Sequence, residues 1–198
     1  MNLFIGLVFD NNSEHLKKID NFRRRFDQKY STNPYNQLTI IPPFELEVSR
    51  IDQLQRIKDD IGELIDDHLL GNQFFSQIEF NGITFTSGRK SMIGLTTKMN
   101  DEVSFLQESL VDYLLSEGAK FKKNINSHLV YPIARMDHMT PMEVIIDIAK
   151  IEFSSPFVLN STSVSMFHRQ NCIWTLRENL YQLNQHTSLN FVNHLWPN

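Results

Sequence analysis

Cys172 is the only cysteine among the 198 residues of this chain. A lone thiol excludes an internal disulfide framework and predicts a reducing compartment. Long apolar runs are missing too. Nothing approaches membrane-spanning length, and Met1–Phe9 is too short for a secretory signal and lacks its positive n-region. We therefore expect a cytoplasmic protein with no membrane partner. Excess positive charge is also absent: the net charge is −4 and the pI is near 6.0. That balance argues against a long nucleic-acid duplex as partner and leaves room for a small nucleotide or a short RNA end in one pocket. There is no glycine-rich phosphate loop, serine nucleophile elbow or dinucleotide fingerprint. His15, His186 and His194 have no companions at metal-ligand spacing, so neither a metal nor a cofactor is expected.

What is present suits a folded core. Hydrophobic residues make up 41% of the chain and 15 residues are Phe, enough for one domain or two closely packed lobes. Leu3–Phe9 is apolar on both faces and predicts a central strand. Asn11 is the expected cap of a following helix, with Glu14 at the capping-box position and Leu16, Ile19, Phe22 and Phe26 as its apolar stripe. Gln37–Ile41 predicts a short strand stopped by Pro42-Pro43. Strict alternation would put Gln37, Thr39 and Ile41 on one face and Leu38 and Ile40 on the other.

A second helix is predicted from about Ser49 to His68 on a stripe that begins at Ile51, with Gly71 ending it. Strands are expected at 77–80, 83–86 and 91–97, with a turn at Ser87-Gly88-Arg89. A third helix opens at Asn100 and is stopped by Gly118. Ser127–Pro132 predicts another short strand ended by proline. Thr140-Pro141-Met142-Glu143 starts a fourth helix reaching about Lys150. Strands at 157–158, 163–167, 172–176 and 180–183 complete the pattern. The tail after Gln185 has no clear element, though Phe191, Leu195 and Trp196 suit docking.

The halves repeat. Phe4-Ile5-Gly6-Leu7 resembles Met92-Ile93-Gly94-Leu95, and the Gln37 strand is echoed by the His128 strand in the same order of elements. The expected organisation is one two-lobed domain over 1–198, with motif halves near 1–90 and 91–184 and a tail at 185–198.

With Gln37-Leu38-Thr39-Ile40 followed by Pro42-Pro43-Phe44, and His128-Leu129-Val130-Tyr131 later, the chain resembles the two-histidine (2H) phosphoesterase superfamily. That superfamily includes the bacterial 2′-5′ RNA ligase and cyclic phosphodiesterase proteins. The resemblance implies an α+β fold of two pseudo-symmetric lobes, each an antiparallel sheet with helices on its outer face, around a central cleft. It also implies metal-independent chemistry on a phosphodiester or 2′,3′-cyclic phosphate. One histidine of each histidine-x-threonine/serine motif would act as base or acid, with the hydroxyls two positions on holding the phosphate.

Each motif here keeps one functional residue. Gln37 stands for the first histidine and Val130 for the second hydroxyl, which leaves Thr39 and His128. A glutamine amide can neither take nor give a proton near neutrality, and losing a positioned acid or base removes roughly 10²–10⁴-fold of rate. Gln37 can still hydrogen-bond a phosphate, a ribose hydroxyl or a base edge. The implied protein binds a nucleotide or RNA end through Gln37 and Thr39, with weak or no phosphodiesterase activity and His128 as candidate catalytic residue. The alternatives are an active phosphodiesterase pairing His128 with a substitute such as His168, and an interaction module that keeps the fold alone.

Blander accounts compete with each assignment. Thr39 is equally an ordinary strand former, and His168-Arg169-Gln170-Asn171 reads more simply as a polar hairpin end. Arg23-Arg24-Arg25 fits a solvated helix face, and His138 a loop position before the Thr140 cap. Cys172 fits an inert core thiol. Arg89, Lys90, Arg135 and Arg169 are possible phosphate contacts.

Overall fold

The computed structural model describes residues 1–33, 36–48, 50–69, 76–87, 90–97, 101–121, 129–137 and 142–183. Eight strands and four helices run along them. They are β1 (Asn2–Phe9), α1 (Glu14–Phe26), β2 (Gln37–Glu45), α2 (Ile51–Leu69), β3 (Gln77–Thr86) and β4 (Lys90–Thr97), then α3 (Asp101–Ser116), β5 (Lys120–Phe121), β6 (Val130–Asp137), α4 (Met142–Glu152), β7 (Phe157–Gln170) and β8 (Ile173–Gln182). The class is α+β, as expected, and every strand pair is antiparallel. Among the described residues no helix is long and apolar enough to cross a membrane.

The sheet order is β5-β2-β1-β7-β3-β4-β6, with β8 added to β7. Strand β7 is the seam. Its residues 157–160 pair with β3, while residues from Ser161 onward pair with β1 and β8. One half-sheet is thus built on β1, β2, β5 and β8, and the other on β3, β4 and β6. The helices are shared between the chain halves. Helix α1 packs against β6 and β7 and α4 against β3, whereas α2 packs against β8 and α3, and α3 against β2. Arg25 pairs with Glu152 at 2.9 Å and Phe22 meets Phe153 edge-on, joining α1 to α4. Arg56 reaches Glu117 and Tyr113 reaches Asp60, joining α2 to α3. Each half-sheet therefore carries one helix from each half of the chain.

Several sequence expectations need correction. Ser13, not Asn11, caps α1, its side chain accepting from Leu16 N at 3.4 Å; Asn12 N is taken up by Asp10 instead. Ile51 starts α2 but is 87% exposed, so the buried stripe begins at Leu54. The prolines end neither motif strand. Pro42 and Pro43 fall in an irregularity of the β1–β2 ladder, where Ile41 faces Ile5 and Phe44 faces Leu3. Pro132 lies within β6, an edge strand, beside a register shift. Both are places where a missing N–H costs no ladder bond. β3, β7 and β8 are each one strand, because bulges rather than breaks interrupt their patterns. Gly118 does stop α3, with φ +85°. Cys172 is exposed in the β7–β8 turn rather than buried. Gly71, Gly88, Arg89, Asn100, Thr140, Pro141 and the tail 185–198 lie outside the described residues.

Candidate functional site

Bulges decide what the motif strands present. In the β1–β2 ladder Val8 faces Gln37, Leu7 faces Leu38 and Gly6 faces Thr39, but Ile5 faces Ile41. Ile40 is the extra residue. Gln37 and Thr39 consequently share a face, while Ile41 rotates onto the buried Leu38 face, contrary to strict alternation. The β4–β6 ladder repeats this: Thr96 faces Val130, Leu95 faces Tyr131, Gly94 faces Pro132 and Ile93 faces Ala134. Ile133 is the extra residue there, and it moves Arg135 onto the face of Val130 and Pro132.

Glycine sits opposite each bulge for a steric reason. A Cβ on Gly6 would lie 2.9 Å from the Leu38 carbonyl oxygen, and one on Gly94 would lie 2.3 Å from Val130 Cγ1. The repeated bulge confirms the internal resemblance between the Phe4–Leu7 and Met92–Leu95 strands, with a different register. The position matching Gln37 is Val130, and the one matching Thr39 is Pro132, two residues beyond the expected echo at His128. His128 itself lies outside the described residues, as does His138.

Gln37, Thr39, Pro132 and Arg135 line a cavity of about 60 Å³ together with Arg23, Asn33 and Tyr131. Helix α1 supplies Arg23, whose side chain is only 1% exposed. Its Nη1 donates to Asn36 Oδ1 at 3.1 Å, Nη2 donates to the Asn33 carbonyl, and Nε lies 3.6 Å from Asp27 Oδ2. Arg23 thereby fixes the segment entering β2. Asp27 also grips Arg135, accepting from Nε at 3.1 Å and Nη2 at 2.6 Å. From β6, the Tyr131 hydroxyl donates to Asn36 Oδ1 at 2.9 Å. Asn36 thus ties the approach of one motif strand to the other. Burial pushes the Tyr131 phenol well above its ordinary value, with Arg23 acting in the opposite direction. Tyr131 also packs on Phe9 and Phe80, at centroid distances of 5.8 and 6.0 Å.

Three polar groups in this lining are left over. Gln37, 4% exposed, donates from Nε2 to Asn33 Oδ1 at 3.0 Å, and its Oε1 is buried with no hydrogen-bond partner among the described residues. Thr39 Oγ1 makes no hydrogen bond among them either. Arg135 commits Nε and Nη2 to Asp27, leaving Nη1. Gln37, Thr39 and Arg135 all line the one cavity. Natively buried polar groups are rarely left unsatisfied, so such a group needs a reason.

Sequence reasoning placed Gln37 and Thr39 here and named Arg135 as a possible phosphate contact. It missed Arg23, Asn33, Asn36 and Tyr131. A signal for Arg23 existed: it follows Ile19 by four residues, on the apolar stripe of α1, whereas Arg24 and Arg25 are exposed. His168 does not join the site. It faces Leu3, whereas the Gln37–Thr39 face continues through Val8 and Gly6 to Ser163 and Ser165. His168 lies on the opposite side of the sheet, with Nε2 3.3 Å from Thr175 Oγ1. Arg169 shares the cleft-side parity but does not line the cavity. Among the described residues no group of three or more His, Cys, Asp or Glu is placed to hold a metal.

No family model matches this sequence, and no curated protein matches it. The chain is similar to a solved structure described as "Crystal structure of phosphoesterase", with 14% sequence identity, 93% of this chain and 99% of that one covered, and a TM-score of 0.48.

Proposed function

We propose that this protein binds a nucleotide or an RNA end in the cleft between β2 and β6 and has weak or no phosphodiesterase activity. The observation that carries the reading is that Gln37, Thr39 and Arg135, brought from two strands, line one cavity together with Arg23. A guanidinium beside a hydroxyl suits a phosphate oxygen, which accepts from both. Proton transfer is another matter. Gln37 occupies the first motif position, and strand register puts Val130 at the matching position of the second. Neither side chain can serve as acid or base near neutral pH.

The test pairs ligand-induced stabilisation with a turnover assay on 2′,3′-cyclic nucleotides and 2′-5′-linked adenylates. A raised melting temperature without product is the expected result, since a ligand specific for the folded state stabilises it. Hydrolysis that disappears in His128→Ala would overturn the binding reading in favour of an enzyme.

A further inference from the structure

We infer that Gln107, on α3, is a positioning residue for the cleft: its side chain holds the bulge in β2 that keeps Gln37 and Thr39 on one face. The inference rests on the binding reading given above and adds to it a group outside the cavity lining.

Gln107 stands among residues of another kind. The buried stripe of α3 runs Val103, Leu106, Leu110, Val111 and Leu114, and Gln107 falls on it, only 6% exposed. A leucine there would roof β2 without the penalty of burying an amide, which only hydrogen bonds offset. The bond Gln107 makes is specific. Its Nε2 donates to the Ile40 carbonyl oxygen at 2.7 Å, and both residues are buried. Ile40 is the extra residue of the β1–β2 ladder, and the extra residue of a bulge is left without its regular partner. β5 does not supply one, since it meets β2 only at Phe44 and Glu45. The other motif strand is served from the other roof in a similar way. Asp27, which closes α1, accepts from the Arg135 backbone N–H at 3.2 Å, two residues beyond the bulge at Ile133.

Holding the Ile40 carbonyl matters because strand faces alternate with a period of two. With Ile41 kept against Ile5 and no bulge, Gly6 would face Ile40, Leu7 would face Thr39 and Val8 would face Leu38. Thr39 would then turn to the core and Leu38 to the cleft. Gln107 stabilises the register in which Ile40 is the extra residue.

Two substitutions separate this role from simple packing. Gln107→Met keeps the bulk and removes the donor. Leu114→Ala, two turns further along α3, weakens the same packing without removing that bond. Amide hydrogen exchange followed by NMR, and calorimetric titration with adenosine 3′-monophosphate, are the measurements. In Gln107→Met, exchange at residues 38–41 should accelerate by more than the loss of global stability accounts for. The nucleotide should bind roughly 3- to 10-fold more weakly, the worth of one neutral hydrogen bond. Leu114→Ala should speed exchange evenly and keep wild-type affinity. Gln107→Glu supplies the rescue: burial favours its protonated form, which can donate, so lowering the pH should restore binding relative to Gln107→Met at the same pH. Even acceleration in Gln107→Met, or affinity equal to that of Leu114→Ala, overturns the positioning role. If the wild type binds no nucleotide, the binding reading falls, and local exchange at 38–41 still decides whether Gln107 holds the bulge.

Discussion

Asp27, the residue that closes α1, holds the Arg135 guanidinium through both carboxylate oxygens, at 3.1 and 2.6 Å, while also accepting from the Arg135 backbone N–H at 3.2 Å. The carboxylate is fully buried and Arg23 lies against it as well. Asp27→Asn keeps the shape and removes the charge, leaving two guanidiniums with no carboxylate between them. Breaking a buried pair from one side costs roughly 3–5 kcal/mol. Urea unfolding should register a loss of that order. Asp27→Leu combined with Arg135→Met should recover only part of it, because Arg23 still loses its acid; full recovery would mean that the Asp27–Arg23 contact contributes nothing.

Tyr131 gives a pH signature. Burial holds its phenol above the ordinary value of about 10, so the folded chain binds that proton more tightly than the unfolded one. The associated stability is complete below about pH 10 and is lost as pH rises through the folded pKa. Denaturant midpoints should fall across that alkaline range. Tyr131→Phe should flatten the fall without abolishing it, since Tyr113 is shifted the same way, chiefly by burial and then by Asp60. An unchanged slope in Tyr131→Phe would locate the effect elsewhere.

The β7–β8 turn carries two non-glycine residues at positive φ, Asn171 at 47° and Cys172 at 66°. That is the backbone of a two-residue hairpin favouring asparagine followed by glycine. Cysteine in this conformation costs about 1–2 kcal/mol. Cys172→Gly should therefore stabilise the protein by roughly 1 kcal/mol once glycine's greater unfolded-state freedom is deducted. Thermal unfolding would report it as a raised melting temperature, and a lowered one would refute the turn assignment.

How far these features were legible in the sequence depends on the physical signal behind each. Hydrophobic period located α1–α4 and the cores of β1, β2 and β4, because burial on one face leaves a repeat in the residues themselves. Bulges leave no such mark. Ile40 and Ile133 are ordinary strand formers, and nothing in their identity says that one ladder skips each of them. Yet those two residues decide that Ile41 turns away from the cleft, that Arg135 turns toward it and that Val130 matches Gln37. The ion network was hidden for a similar reason: Asp27 and Arg135 are far apart in sequence, and a charged residue on a helix normally faces water. Cys172 was misjudged because its neighbours Ile173 and Trp174 suggest a core, whereas a tight turn places it at the tip.

The sharing of helices between the half-sheets has a consequence for how this chain can be divided. α1 is made early but rests on β6, and α3 is made late but rests on β2. A cut after Thr97 would give two fragments, each holding a roof for the other's sheet and lacking one for its own. Neither should be a stable miniature of the whole. Mixed together, the fragments would have to exchange helices to bury those faces, which makes this fold a natural split reporter despite the likeness of its two halves.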